Sequence, residues 1–264
     1  MNVLTKNPQA NAEKHPSVQL IELDCVYQQL EDPEIRKLFS NLLLMRKRGY
    51  STRHGQGSLP IDTYDFIGTH YLMVQNLPEG KRVLGGVRMV SLSRSLIYHM
   101  PFPAMSLLNA AKATRHIDFM NRLFQEYGRP ESNAIDFTYV SSWTFDPISR
   151  EDASLTSYLH DLFCVANVLS HADPTREIRV ACGIPRLKTD RYITNIIGYE
   201  RSSDADGPLP EVQQSNLVDE PVVLLHLKNG HPFSYRRRAQ MLQKIWDERL
   251  VLTPKEVTER KKAA

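Results

Sequence analysis

Two aspartates three residues apart, Asp62 and Asp65, stand just ahead of the apolar run THYLMVQ, with Arg46 upstream and Arg88 inside the second apolar run, RVLGGVRMVS. Charged side chains beside or within strand-like segments cost several kcal/mol unless they are paired, so these four are expected to answer one another. Such a cluster can hold a cationic amine and order a lobe of the protein over it. It can equally serve as an ion-pair staple that pins a helix to a sheet, and both roles are compatible.

The elements that must place these residues follow from pattern. Residues 17–45 carry Val18, Ile21, Leu23, Val26, Leu30, Ile35, Leu38, Leu42 and Met45 at roughly helical spacing, interrupted at Asp32-Pro33. This predicts two helices, the second capped by Asp32 with Pro33 at its first position. Residues 49–61 hold three glycines and a proline and read as a loop. The runs 69–75 and 82–91, joined by NLPEGK, read as an antiparallel hairpin, and Gly85-Gly86 suggests a bulge or a close backbone approach.

Further along, 92–105 reads as irregular, 107–128 as a helix ending at Gly128, and 134–145 (AIDFTYVSSWTF) as an aromatic, β-branched strand. A helix over 154–171, a strand over 177–184, a short helix over 189–197 closed by Gly198, a polar loop over 201–219 and a last strand over 221–228 complete the series. Three regions are expected: a loose, flexible tail over 1–16, a domain over 17–233, and a basic helical extension over 234–264 with a turn at Thr253-Pro254.

The 264 residues suffice for a hydrophobic core, and 41% apolar with 24% charged residues is ordinary for a globular protein. A net charge of +3 does not argue for a nucleic-acid partner. Cys25, Cys164 and Cys182 are scattered with no CxxC spacing, which fits reduced thiols in a cytoplasmic protein. No apolar segment has the length of a membrane span or the form of a secretory signal. Nine histidines show no HExxH or other metal-ligand spacing, and no GxSxG is present, so no metal site and no serine hydrolase is expected.

In order and motif the chain resembles the Gcn5-related N-acetyltransferase superfamily, and within it the acyl-homoserine lactone synthases of bacterial quorum sensing. Met45-Arg46-Lys47-Arg48-Gly49-Tyr50 is similar to that family's "LRxxVF" segment. Ile61-Asp62-Thr63-Tyr64-Asp65 is similar to its "ExDxYD", and Leu84 to Ser91 to its "vxGxxRLxPT" strand. Tyr98-His99-Met100 and Phe102-Pro103 stand where it has "ML…FP", and VSSWTF where it has "ExSRF". The likeness runs over about residues 38–228. Two departures stand out: Tyr139 and Ser142 replace the family's Glu and Arg, and no Trp lies between Ser51 and Pro60. The N-acyl amino acid synthases, a sister group, share the architecture.

The resemblance implies an α/β (α+β) acyltransferase fold, with a mixed central sheet, a splayed strand pair and flanking helices. It implies a reaction in which an amine attacks a phosphopantetheine thioester, with no permanently bound cofactor. The substrates would be acyl-ACP or acyl-CoA together with S-adenosylmethionine or an amino acid. Asp62, Asp65 and Arg88 would be the catalytic cluster. Arg46, Tyr50, Ser141, Ser142, Trp143 and Phe102 would bind substrate, with the aromatic residues of the strand, Phe137 and Phe145 included, lining an acyl tunnel. The usual acetyl-CoA loop, "QxxGxG" opening a helix, is absent, which favours a donor on acyl carrier protein. The basic residues Lys47, Arg48, Arg53, 236–238 and 259–262 suit that acidic partner. A non-catalytic binding domain of the same fold is the remaining alternative.

Overall fold

The computed structural model describes residues 8–54, 61–127, 135–171, 173, 176–214, 220–228 and 230–254. Chain order begins with α1 (Pro8–Lys14), β1 (Val18–Asp24), α2 (Pro33–His54), α3 (Tyr64–Ile67), β2 (Thr69–Leu77) and β3 (Gly80–Ser91). It continues with α4 (Leu92–Ile97), α5 (Pro103–Ala110), α6 (Thr114–Tyr127), β4 (Asp136–Phe145), α7 (Ala153–Leu169), β5 (Glu177–Gly183) and α8 (Thr189–Ile197). Four short strands follow, β6 (Glu200–Arg201), β7 (Ser203–Asp204), β8 (Gly207–Pro208) and β9 (Val212–Gln214). The chain then forms β10 (Glu220–Leu227), α9 (Phe233–Gln240), α10 (Gln243–Asp247) and β11 (Leu250–Leu252). The fold class is the mixed α/β arrangement that the resemblance implies.

The chain forms two compact units, one of residues 1–88, 142–169 and 237–264, the other of residues 89–141 and 170–236. In the first, the strand order is β11-β1-β2-β3. β1 runs antiparallel to β2, with Ile21 opposite Leu72, and parallel to β11, with Glu22 opposite Val251. Helix α2 lays Ile35, Leu38, Phe39, Leu42 and Met45 onto Leu72, Val74 and Val83, all buried. Each such side chain contributes about 1.5–3 kcal/mol. Gly85 and Gly86 lie where a Cβ would meet Phe145 Cδ1 at 2.7 Å and Leu72 Cδ2 at 3.1 Å, so the glycine pair marks a close approach.

In the second unit the order is β4-β5-β10-β6, with β9 also on β10. β4 and β5 are parallel from Asp136–Glu177 to Val140–Ala181, and there the ladder ends although both strands continue. Phe102, Leu108, Met120, Phe137, Ile178 and Leu224 centre this unit's core.

Several boundaries differ from the sequence reading, each for a physical reason. Val18–Asp24 is a strand, not a helix: Val18, Leu20 and Leu23 are buried while Gln19, Glu22 and Asp24 are half-exposed. The tail is not loose from Pro8 onward, because α1 packs on α7, and His15 bonds Ser154 at 3.0 Å and stacks on Tyr158. Helix α2 runs on through Gly49 to His54, six residues into the expected loop. Residues 92–105 are largely helical: the Ser91 hydroxyl caps α4 by accepting from Arg94 N, and Pro103 opens α5. The single helix expected over 107–128 is two, broken where Lys112 takes φ +52°. The polar loop holds the strands β6 to β9. The C-terminal region is two short helices and β11, an added sheet strand, not one basic helix. The readings at 55–60, 128–134 and 255–264 fall outside the described residues.

The caps at Asp32 and Gly198 stand as read. Asp32 Oδ1 accepts from Glu34 N at 2.8 Å, and Gly198 adopts φ +86°.

Candidate functional site

The spacing of the two aspartates is explained by the turn that they close. Asp62 N donates to Asp65 Oδ2 at 3.0 Å while Asp65 N donates to Asp62 O at 3.1 Å, a reciprocal closure of the capping-box kind. That turn opens α3 and aims Asp65 Oδ1 inward. Arg46 reaches it from the buried stripe of α2 at 2.5 Å, and Arg88 reaches it from β3 at 2.8 Å. Arg88 also grips Asp62 with both terminal nitrogens, at 2.5 and 3.1 Å. All four residues lie in the first unit. The sequence expectation that they answer one another holds in detail.

His70, which the sequence reading passed over, completes the cluster. Its Nε2 lies 2.8 Å from the Asp65 carbonyl oxygen, and its Nδ1 lies 3.4 Å from Arg46 Nη2. Arginine only donates, so Nδ1 accepts and the proton sits on Nε2, giving a neutral ring. A fully buried histidine inside the apolar run THYLMVQ was the available signal.

The electrostatics follow from burial. Desolvation would raise the Asp65 carboxyl, but the guanidiniums of Arg46 and then Arg88 outweigh it and hold the group well below the ordinary carboxylate range. Burial and then the Arg46 charge push His70 down to about 3. Burial opposes the charge on Arg88, yet Asp65 and Asp62 raise its pKa on balance. Two cations and two anions balance, and the carboxylate left in contact with solvent is Asp62, whose side chain is 30% exposed against 4% for Arg88 and 1% for Asp65. Asp62 is therefore the member of the cluster able to meet an incoming cation.

These shifts set an acid limit on stability. His70 protonates near 6.5 when unfolded but only near 3 when folded, so between those values the unfolded chain binds the extra proton and stability rises with pH. His160, held at about 4 by burial, acts in the same sense. We expect stability to fall as pH drops below about 6.5, with His70 supplying up to about 1.4 kcal/mol per pH unit. Asp65 adds its loss below about pH 4. Denaturant unfolding from pH 7 to 5 tests this: His70→Asn should flatten the slope, and an unchanged slope would contradict the assignment.

The other anticipated residues are distributed as follows. Tyr50, half-buried within α2, lies in the field of Arg46, Arg88 and Asp65; burial raises its pKa, against the Arg46 charge and a hydrogen bond with Thr144. Ser142 takes φ +58°, a left-handed kink inside β4. Trp143 stacks on Phe163 of α7 at 5.6 Å, and Phe145 packs edge-on to Phe163 at 4.6 Å. Ser141 and Phe102 belong to the second unit, where Phe102 is buried against Phe124 and Tyr139. Tyr139, at the position of the family's Glu, is buried and bonds Cys182, whose thiol burial pushes up to about 11. Among the described residues no group of three or more His, Cys, Asp or Glu could hold a metal ion, and no helix is long and apolar enough to cross a membrane.

No family model matches the chain, and no curated protein sequence does. Solved structures similar to it include a CoA-dependent acyl-homoserine lactone synthase, BjaI, with MTA, at 13% identity and TM-score 0.46, covering 89% of this chain and 92% of that one. They also include an agmatine N-acetyltransferase in its apo form, at 12% identity and TM-score 0.40, covering 82% and 100%. A third is FeeM, an N-acyl amino acid synthase from uncultured soil microbes, at 13% identity and TM-score 0.35, covering 78% and 96%.

Proposed function

We propose that this chain is an N-acyltransferase of the autoinducer-synthase type, which moves an acyl group from a phosphopantetheine thioester to the amine of S-adenosylmethionine. The observation that carries the reading is the buried Arg46–Asp65–Arg88–Asp62 cluster, of which Asp62 is the most exposed member. A charge-balanced cluster with one partly exposed carboxylate suits a cationic acceptor, and it fits the "LRxxVF", "ExDxYD" and "vxGxxRL" segments in sequence order.

The chemistry asked of such a protein is mainly placement. An amine held next to a thioester reacts faster by entropy alone. A donor N–H near the strand kink at Ser142 would suit the oxyanion of such a reaction. Asp62, Asp65 and Arg88 order the acceptor side, with Arg46 and Tyr50 behind them. Ser141, Ser142, Trp143 and Phe102 are assigned to substrate contact on the same resemblance.

Two features favour acyl carrier protein over free CoA as donor. The N-terminus of α7, where a phosphate would otherwise sit, is already occupied by the Asp152 carboxylate, which accepts from Ser154 N at 2.8 Å and Leu155 N at 3.0 Å. The turn before it is closed by Asp146, which accepts from Ile148 N at 3.2 Å. A second reading, an N-acyl amino acid synthase, draws on Tyr139: a buried phenol paired with a thiol replaces a charge that the lactone synthases use on the acceptor side.

Expression in a heterologous bacterium, with mass spectrometry of organic extracts, separates these readings. Acyl-homoserine lactones are the expected products. N-acyl amino acids would transfer the assignment to the second reading, and neither product in the presence of folded protein would leave a non-catalytic binding domain.

A further inference from the structure

Helix α2 carries a second stripe besides its buried one. Lys37, Asn41, Leu44 and Arg48 recur at helical spacing on one face, away from the buried Leu38, Leu42 and Met45. Leu44 stands in this stripe 52% exposed. The stripe runs alongside the first residues of β3. Lys37 Nζ comes within 3.8 Å of the point where a Cβ on Gly80 would stand, and Asn41 Nδ2 donates to the Lys81 carbonyl oxygen at 3.0 Å. At the far end, Arg48 Nε and Nη2 donate to one oxygen of Asp146 at 3.2 and 2.6 Å, and Arg82 Nη2 reaches the same oxygen at 3.5 Å. The other oxygen of Asp146 accepts from the N–H of Ile148, whose side chain is 41% exposed. All of these residues belong to the first unit.

Two guanidiniums thus share one carboxylate that is 1% exposed, while Arg48 and Arg82 remain 46% and 35% exposed. Among the described residues one positive charge of this trio is left without an opposite. A guanidinium already held by Asp146 loses less side-chain entropy when it takes a second anion. Lys47 and Lys81 add two further exposed cations. We propose that this face of the first unit docks the acidic helix of an acyl carrier protein. Arg48, Arg82, Lys47 and Lys81 meet its carboxylates, and Leu44 and Ile148 meet its apolar side chains. The inference rests on the acyltransferase reading above and deepens it by naming where the donor's carrier binds. Charge selects the sign of the partner, and the two apolar side chains select its class. A nucleic-acid backbone leaves leucine and isoleucine in water, whereas an amphipathic helix covers them and pairs the cations as well. The basic run 236–238 is a poorer candidate, since Arg238 is committed to the buried Asp161 at 2.5 Å and is 15% exposed.

Binding is measured first, without acceptor amine, by fluorescence anisotropy of a labelled acyl-ACP titrated with the full chain. Its affinity should fall about tenfold between about 0.05 and 0.3 M salt, as expected for docking through exposed charges. The charge reversal Lys47→Glu/Lys81→Glu leaves Asp146 with both of its arginines and should weaken binding about a hundredfold. Leu44→Ala should weaken it about fivefold with the salt dependence unchanged, because no charge is lost. Lys14→Glu/Lys244→Glu makes the same change of charge on α1 and α10, which pack against α7, and should stay within about twofold of the parent. Thermal unfolding establishes that each variant is folded.

Steady-state kinetics follow, and KM for acyl-ACP should rise in step with the weakened binding. Affinity within about twofold of the parent in either the Lys47→Glu/Lys81→Glu or the Leu44→Ala variant overturns the surface. Equal weakening by Lys14→Glu/Lys244→Glu, or a DNA duplex bound as tightly as the carrier protein, overturns it as well. A folded parent that binds no acyl-ACP but acylates an amine from acyl-CoA overturns the surface and leaves the acyltransferase reading standing. A parent that binds acyl-ACP with the expected pattern yet acylates no amine overturns the function, while the docking surface stands.

Discussion

Replacing Asp65 with alanine should destabilise the protein by about 3–5 kcal/mol, the cost of leaving a buried charge without its partner. Arg46 is 1% exposed and Asp65 is the carboxylate it meets, whereas Arg88 retains its two-pronged grip on Asp62. The orphaned charge is therefore Arg46, whose Nε already lacks a partner among the described residues. For a chain of this size the loss corresponds to a melting point lower by on the order of 10 °C. The double variant Arg46→Met/Asp65→Leu should recover most of it, because an apolar pair of similar volume avoids the desolvation that the ion pair must offset. Circular dichroism melts of the three proteins decide the matter: a single variant within 1 °C of the parent would mean that the cluster does not pin α2 to the sheet.

Asp62→Asn should behave in the opposite way, with a small effect on stability and a large one on activity. Asp62 is the partly exposed member, and Arg88 keeps its 2.8 Å contact with Asp65 when the Asp62 charge is removed. The lost interaction on the acceptor side is a charge-assisted hydrogen bond of about 1.5–3 kcal/mol, which corresponds to roughly a 10- to 150-fold rise in KM for the amine. The melting point should stay within a few degrees of the parent. Kinetics that show a normal KM for the amine with a collapsed melting point would reverse the roles given to the two aspartates.

The ion cluster was legible in the sequence because charge next to apolar strands has few places to go. Asp62, Asp65, Arg46 and Arg88 could be grouped by cost alone. His70 escaped because one histidine in an apolar strand is usually a satisfied core residue, and nothing local says that its two nitrogens face Arg46 and the Asp65 carbonyl. The close approach of α2 to β4 at Gly49 and Thr144 escaped for a related reason, because it joins residues nearly a hundred positions apart.

The strand β1 was misread because VQLIELD satisfies both periodicities over seven residues, and the helical pattern of α2 downstream drew it in. β11 was invisible for want of length, since three residues carry no period and its parallel pairing with β1 joins the two ends of the chain. In contrast, β4, β5, α7 and α8 were found with boundaries within about two residues, where apolar runs were long and their ends were marked by Asp146-Pro147 and Gly198.

The claim on which the account depends is that an amine takes the acyl group. Free thiol released from an acyl-ACP donor by the purified chain, measured with and without the acceptor amine, addresses it directly. Release that requires the amine, matches amide formation one for one and shows a raised amine KM in Asp62→Asn is the predicted result. Release at the same rate without any amine, or none with folded protein and the full acceptor panel, would contradict it.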